Sequence, residues 1–239
     1  MSGKVKLAIY WAAACGGCDV SILDIGGKLI DAISGVELVF WPIAMDTKYR
    51  DVEALPDKSI DICLFNGAIR TSENEHMAKL LRRKSKVLVA YGSCSYMGGI
   101  PALINLSSLQ DMLRRIYQET LTTHNPEGVY PQTETRVEEG VLKLPALYER
   151  VKALGDVVEV DYYIPGCPPV GEKAWEAILK LIQGEAPPKG SVLAAGEKTV
   201  CDECPLKKEN KKIKDLKRLY EVVPDPDRCL LEQGIICMG

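Results

Sequence analysis

The chain has 239 residues, of which 46% are hydrophobic and 26% charged, a composition typical of globular proteins. Its formal net charge of -3 gives no electrostatic reason to expect a nucleic-acid partner. No apolar run approaches the ~18 residues that a membrane span needs, and the first residues lack the layout of a signal peptide. We therefore expect a cytoplasmic protein with one substantial domain and a smaller appendage.

The first part of the chain alternates strand-like and helix-like segments. An apolar run opens it at Val5–Trp11, and the apolar residues of Ser21–Ile33 recur with the spacing of a helix. Further strands are predicted at Val36–Ile43, Ile60–Phe65 and Lys86–Tyr91, with a short polar helix at His76–Lys84. Strands that alternate with helices predict an α/β fold with a doubly wound parallel sheet of flavodoxin-like type.

The chain after residue 95 is less regular until a last predicted strand at Val157–Ile164. Helices are predicted at Leu106–Tyr117, Leu144–Leu154 and Gly171–Gln183, and a polar loop at His124–Gly140. Residues 184–196 are rich in Pro, Gly and small side chains, which indicates a linker. We therefore divide the chain into a flavodoxin-like domain, residues 1–185, and a cysteine-rich tail, residues 186–239. The tail is too small to build a core without a metal cluster.

Nine cysteines in a chain without a recognisable leader argue against a disulfide framework, because cytosolic thiols are kept reduced. Cys63, inside the predicted strand Ile60–Phe65, is expected to be a small buried core residue. The other eight form two sets that we expect to bind metal: Cys15, Cys18, Cys94 and Cys167, and then Cys201, Cys204, Cys229 and Cys237.

The first set of cysteines occurs in three glycine-containing signatures, each directly after a predicted strand. These are Cys15-Gly16-Gly17-Cys18, Gly92-Ser93-Cys94 and Gly166-Cys167-Pro168-Pro169. Loops after parallel strands converge at the carboxyl edge of a sheet. Four cysteines at such an edge are the ligand set of a [4Fe–4S] cluster, and glycines let the backbone approach it closely. The pattern therefore indicates electron transfer.

Two other interpretations apply to the first set. A Cys-x-x-Cys after a strand and before a helix is also the layout of a thioredoxin-type redox motif, but thiol–disulfide exchange needs only one pair of sulfurs. Structural zinc also uses four cysteines, but usually as closely spaced pairs, whereas this set extends from Cys15 to Cys167. The cluster interpretation accounts for all four cysteines.

For the tail, spacing alone leaves zinc open beside a second [4Fe–4S] cluster, since Cys201-Asp202-Glu203-Cys204 could anchor a zinc knuckle. The lysine-rich run Lys207–Lys214 is interpreted as a solvated helical face rather than a partner surface. His76 and His124, the only histidines, are predicted to be surface residues. No phosphate-binding glycine loop occurs, and the sequence offers no catalytic residue of its own.

At its three cysteine signatures the chain resembles the small subunit of [NiFe] hydrogenases. The resemblance implies that Cys15, Cys18, Cys94 and Cys167 match the ligands of the proximal [4Fe–4S] cluster, the one nearest the nickel–iron site. The related complex I subunit has adjacent cysteines in place of the first Cys-x-x-Cys, so this motif resembles that of the hydrogenases and not that of complex I. The tail, from Cys201 to Cys237-Met238-Gly239, looks like that of the cytoplasmic, F420-non-reducing (methyl-viologen-reducing) group of methanogens, which works with heterodisulfide reductase.

The resemblance also implies the partners of the chain. In this family the nickel–iron site lies in a separate large subunit, so the chain should relay electrons from H2 oxidation to a downstream iron–sulfur or flavin subunit. It further predicts exposed apolar surface around Trp11, Met97 and Pro168, where a large subunit would cover the cluster.

Relatives continue past Gly239 with more cysteines, in a ferredoxin-like module with further clusters. The eight ligands of this chain allow two [4Fe–4S] clusters, and a third would need residues beyond Gly239. Two other functions stay open: an iron–sulfur subunit of another dehydrogenase complex that lacks the nickel–iron site, and a zinc-stabilised interaction protein.

Overall fold

The computed structural model describes residues 4–237, apart from the side chains of residues 31–33. Its strands, in chain order, are β1 (Val5–Trp11), β2 (Val36–Phe40), β3 (Ile60–Asn66), β4 (Ile69–Thr71), β5 (Ser85–Tyr91), β6 (Glu134–Val137), β7 (Gly140–Lys143), β8 (Leu147–Lys152) and β9 (Tyr162–Ile164). Five of them form a parallel sheet in the order β2-β1-β3-β5-β9. Counted within the sheet, this is the flavodoxin-like order 2-1-3-4-5, so the predicted fold class is confirmed.

Helices connect these strands or follow them. They are α1 (Gly17–Leu23), α2 (Lys28–Ser34), α3 (Tyr49–Ala54), α4 (Ser72–Lys84), α5 (Ser93–Met97), α6 (Leu109–Arg114), α7 (Gly171–Ile182) and α8 (Val200–Glu203). Short 3-10 turns lie at Pro101–Leu106, Leu154–Asp156, Leu219–Glu221 and Leu231–Gln233, and a π-helical turn at Arg115–Glu119. Within residues 4–237, no helix has both the length and the apolar character needed to cross a membrane.

The sheet is buried on both faces, which is why its strands read as continuous apolar runs in the sequence. Successive residues of a strand point to opposite faces, so Leu7 and Ile9 belong to one buried cluster and Tyr10 to the other. Trp175 of α7 packs in the first cluster, and Met77 of α4 packs in the second. These two helices therefore cover opposite faces of the sheet.

The region between β5 and β9 differs most from the prediction. The predicted helix Leu144–Leu154 is wrong, because these residues include β8, which pairs antiparallel with β4 and buries Val151. The predicted polar loop His124–Gly140 contains β6, which forms a hairpin with β7. The predicted strand Val157–Ile164 is reduced to β9, since the chain before it turns through Leu154–Asp156.

The predicted helix Ser21–Ile33 is interrupted and forms α1 and α2. Gly26 has a φ of 61°, which lies outside the right-handed helical region and breaks the helix between them. The side chain of Ile33, part of the predicted apolar stripe, lies outside the described residues.

The chain divides into two compact units between Ala195 and Gly196. The predicted boundary at residue 185 therefore lies inside the first unit, because the backbone of residues 191–193 bonds to Tyr163 of β9. The second unit contains α8 and short 3-10 turns, and Lys207–Lys214 form an irregular loop where a helical face was predicted. Residues 1–3, at the start of the predicted first domain, and residues 238–239 of the tail lie outside the described residues.

Candidate metal centre

The first two predicted ligands follow β1. The loop after this strand is held by two backbone hydrogen bonds between Ala13 and Ala68, of 3.0 and 2.9 Å. Cys15 is exposed on this loop, whereas Cys18 lies in the first turn of α1 and is only 6% exposed. The Gly17 N–H lies 3.4 Å from the Cys15 sulfur, so the backbone already offers this sulfur a donor.

The third predicted ligand follows β5 and depends on two glycines. Gly92 has φ 88° and ψ 161°, a backbone region that is essentially restricted to glycine. A Cβ atom on Gly92 would lie 2.4 Å from the Cys18 sulfur, and one on Gly99 would lie 2.9 Å from the Cys94 sulfur. The two buried sulfurs therefore occupy space that any other residue at positions 92 and 99 would fill.

The fourth predicted ligand, Cys167, is exposed on the loop after β9. This loop is joined to the one after β5, because the backbone N–H and the hydroxyl of Ser93 both donate to the Gly166 carbonyl, at 2.8 and 2.9 Å. The Cys167–Pro168 peptide bond is cis. A Cβ atom on Gly17 would be in van der Waals contact with Pro168, so the loop after β1 also reaches this one.

The structure thus brings the four cysteines of the first set to one edge of the sheet. Burial, and then the charges of Cys94, Asp19, Cys15 and Cys167, raise the pKa of Cys18 to about 12. Burial also raises the pKa of Cys94, with Cys167 and Cys15 adding to the rise. Four crowded thiolates need a compensating positive charge nearby, because burial and mutual repulsion both favour the neutral thiols.

This donor set fits a [4Fe–4S] cluster. Four cysteines from three loops supply the ligation that such clusters use, and Gly92 and Gly99 leave room for the sulfurs of Cys18 and Cys94. Bound iron would supply the positive charge that stabilises the thiolates. Over the described part of the chain, no three His, Cys, Asp or Glu side chains are grouped closely enough to hold a single metal ion.

A buried carboxylate beside Cys18 is the main feature of the site that the sequence did not reveal. Asp19 is 1% exposed and accepts hydrogen bonds from the Trp41 indole at 2.7 Å and from the Asn66 amide at 3.0 Å. Burial raises the pKa of Asp19, and these two hydrogen bonds oppose the rise. They tie α1 to the ends of β2 and β3, and so position Cys18. The only signal in the sequence is that Asp19 follows Cys18.

The four tail cysteines line a single cavity in the second unit. Its volume is about 340 Å³, and its walls are Cys201, Cys204, Cys229 and Cys237 with the apolar side chains of Val200, Leu206, Leu230 and Leu231. Four cysteines around one cavity supply a complete ligand set for a [4Fe–4S] cluster or for a structural zinc ion.

The second unit has little apolar core of its own. Among its described residues, 196–237, Ile235 is the one hydrophobic side chain that is buried. The sequence-based expectation of a tail without an independent core agrees with this packing.

The predicted exposed apolar surface is present around the first cysteine set. Trp11 is 40% exposed, Met97 is 62% exposed and Pro168 is also exposed. Ile100 and Val170, which the sequence did not single out, are 67% and 64% exposed. Apolar side chains exposed to this extent in one region are typical of an interface.

The remaining candidates behave as predicted. Cys63 is fully buried in β3, and burial raises its pKa to about 12. His76 is exposed and lies 3.2 Å from a Glu53 oxygen, and His124 is exposed as well.

Comparison with known proteins agrees with the motifs. Residues 15–181 match the family model described as NADH ubiquinone oxidoreductase, 20 Kd subunit. The G-type iron–sulfur subunit of the F420-non-reducing hydrogenase of Archaeoglobus profundus is 42% identical over 98% of this chain and 75% of its own length. The G-type subunit of the F420-non-reducing hydrogenase of Methanothermobacter thermautotrophicus is 37% identical over 100% of this chain and 72% of its own length.

A solved structure supports the same assignment. One chain in the crystal structure of an NAD+-reducing [NiFe]-hydrogenase in the H2-reduced state matches with a TM-score of 0.65 and 30% identity. The match covers 77% of this chain and 94% of that chain. The chain therefore belongs to the family of the 20 kDa subunit of NADH ubiquinone oxidoreductase, among the G-type subunits of F420-non-reducing hydrogenases, and is an oxidoreductase subunit.

Proposed function

We propose that this chain is the electron-transfer subunit of a [NiFe] hydrogenase and relays electrons from H2 oxidation in a separate large subunit to a downstream acceptor. Cys15, Cys18, Cys94 and Cys167 would hold a proximal [4Fe–4S] cluster, and Cys201, Cys204, Cys229 and Cys237 a second one. When bound, such clusters supply reversible one-electron transfer.

The observation that carries this proposal is the convergence of three loops, distant in sequence, at one edge of the sheet with glycines beside the cysteine sulfurs. A thiol–disulfide exchange site needs only two sulfurs, and a purely structural site does not need its ligands at an apolar surface. The set of four, the space left by Gly92 and Gly99, and the exposed apolar side chains together support electron transfer.

The four proximal cysteines differ in burial, and this difference would decide which side of the cluster faces the large subunit. Cys18 and Cys94 are buried against the sheet edge, whereas Cys15 and Cys167 are exposed. Electrons would therefore enter from the exposed side, where Met97 and other apolar side chains offer a contact for the large subunit.

The second cysteine set would carry electrons towards the acceptor. Because residues 196–237 bury so little apolar surface, cluster binding would also contribute free energy to the folding of this unit. The acceptor would be an iron–sulfur or flavin subunit, and the resemblance to the F420-non-reducing hydrogenases favours one linked to a heterodisulfide reductase complex.

Metal and sulfide analysis of the anaerobically purified chain tests the cofactor, with about eight Fe and eight sulfides per chain expected for two cubanes. Co-expression with the hydrogenase large subunit of the same organism tests the partner, and we expect one complex that reduces methyl viologen with H2. Zinc without iron would identify a zinc-stabilised interaction protein instead. Iron–sulfur clusters in a chain that never joins the large subunit would favour another dehydrogenase complex.

A further inference from the structure

One segment of the second unit concentrates positive charge, although residues 196–239 as a whole contain nine acidic and nine basic residues. Residues 207–218, here called the basic loop, contain two acidic residues and seven basic ones: Lys207, Lys208, Lys211, Lys212, Lys214, Lys217 and Arg218. The loop therefore has a formal charge of +5, whereas the whole chain has -3. A positively charged segment of this kind attracts anionic groups.

The basic loop is fixed at both ends by backbone hydrogen bonds. The Glu232 carboxylate accepts the N–H groups of Glu209 and Asn210 at 2.9 and 2.8 Å, and the Lys211 N–H as well. Near the other end, the Lys217 N–H donates to the Gly234 carbonyl at 2.8 Å. The backbone of the loop is therefore anchored near both ends, and all its side chains are exposed except that of Lys208, which is partly buried.

In the described part of the second unit, acidic residues, among them Asp202 and Glu232, lie close to the basic loop, but its basic side chains are not held in ion pairs. Among the described residues, none of the seven basic side chains lies within an ion-pair distance of an acid. One of the two acids of the loop, Glu209, is instead paired with Arg228 at 3.1 Å. The Lys208 ammonium donates to the Cys204 carbonyl at 2.9 Å and lines the cysteine cavity. The positive surface thus begins at the wall of the candidate cluster site.

Large apolar side chains are exposed among these charges. Ile213 is 56% exposed and Leu216 is 63% exposed, and just beyond the loop Leu219 and Tyr220 are 69% and 86% exposed. Two of these side chains lie in the loop and two directly after it, so four large apolar groups are exposed within eight residues. Apolar contacts surrounded by a charged rim are the usual composition of a protein–protein interface.

We propose that the basic loop, with Leu219 and Tyr220, is a docking surface for an acidic electron-carrier protein. This inference rests on the proposed function, because the carrier would receive electrons from the site that Cys204 and Lys208 border. Complementary charge would speed the encounter, and the exposed apolar side chains would be buried in the docked complex.

Steady-state electron transfer in the intact hydrogenase complex tests this docking surface. H2 is the donor, and the acceptors are an acidic ferredoxin and, separately, the small dication methyl viologen. The variant is Lys211→Gln/Lys212→Gln/Lys214→Gln. Its matched control is Lys173→Gln/Lys180→Gln/Lys198→Gln, which removes the same charge from exposed lysines outside the loop.

At low ionic strength we expect the loop variant to lower kcat/KM for ferredoxin about tenfold and to flatten its dependence on salt. The control variant should stay within a factor of about two of wild type, as should methyl viologen reduction by both variants. Ferredoxin reduction by the loop variant at the wild-type rate would overturn the proposal. So would an equal loss with both acceptors, which would assign the loop to cluster binding instead. Failure of the proposed function is distinguishable, since the wild-type complex would then lack iron or fail to reduce methyl viologen.

Discussion

Replacing Gly92 with alanine should remove the proximal cluster, because this position is restricted in two independent ways. Its φ of 88° and ψ of 161° cost a residue with a side chain about 1–3 kcal/mol. In addition, the new Cβ atom would lie 2.4 Å from the Cys18 sulfur, whereas ordinary contacts begin at 3.4 Å. The sulfur must therefore retreat by about 1 Å, more than the ~0.5 Å that a preorganised site tolerates.

Iron and sulfide counts after anaerobic reconstitution measure this effect, and we expect Gly92→Ala to lose about four Fe per chain. Gly184→Ala is the matched control, since Gly184 also has a positive φ, of 82°, but no atom lies within 4 Å of the position that its new methyl group would take. Both variants should unfold at a slightly lower temperature, by about 2–4 °C per kcal/mol of backbone strain. If Gly92→Ala retains as much iron as Gly184→Ala, the reasoning about the sulfur contact is refuted.

Three further predictions concern the other parts of the chain. Cys204→Ser should remove about four Fe per chain, whereas Cys63→Ala, which lies outside both cysteine sets, should leave the iron count unchanged; loss of one zinc with unchanged iron would contradict the cluster assignment. Asp161→Asn should lower the free energy of unfolding by about 3 kcal/mol, because Arg82 and Lys189 lose their buried partner at 2.5 and 2.6 Å. Met97→Glu should weaken binding of the large subunit at least about tenfold in a pull-down titration. Its control is Ile30→Glu, at a side chain 76% exposed on α2, which leads into the amino end of β2 and so lies towards the opposite edge of the sheet; equal binding by both variants would exclude the Met97 surface.

The Asp161 prediction includes a pH dependence whose sign follows from the hydrogen bonds. Burial alone raises the pKa of Asp161, but bonds from Lys189, Arg82 and the Leu88 N–H outweigh it and hold the pKa below its usual value. A lowered carboxyl pKa stabilises the fold above the unfolded-state pKa of about 3.9, and this stabilisation is lost as the pH falls through the folded-state value. The difference between wild type and Asp161→Asn should therefore be constant from about pH 5 to pH 8. Chemical denaturation at several pH values measures this difference in the free energy of unfolding. A difference that changes between about pH 5 and pH 8 would contradict the assignment.

The sequence predicted those parts of the fold that local pattern determines. β1, β3 and β5 are apolar runs buried on both faces, and the cysteine signatures that follow β1 and β5 lie at the carboxyl edge of the sheet. Glycines within the signatures marked where the backbone must leave space, as Gly92 does. Motif and strand order were therefore sufficient to locate the candidate site.

The parts that the sequence did not predict depend on tertiary partners. Leu147–Lys152 became a strand because β4 offers it an antiparallel neighbour, which no local pattern reveals. Asp19 finds Trp41 and Asn66 only once the sheet has formed. The basic loop is not helical because the carboxylate of Glu232, which is distant in sequence, accepts hydrogen bonds from its backbone N–H groups.

The wide spacing of the proximal cysteines along the chain has a consequence for biogenesis. Cys18 and Cys94 are 76 residues apart, and Cys94 and Cys167 another 73, so an unfolded chain would lose on the order of 4 kcal/mol of entropy for each loop closed. Hydrogen bonds of the fold itself join these loops, such as those of Ser93 with Gly166. Metal delivery to the first unit should thus follow its folding and wait until Cys167 has left the ribosome. The tail cysteines all fall within residues 201–237, so their cofactor can be inserted while that short segment is still unfolded.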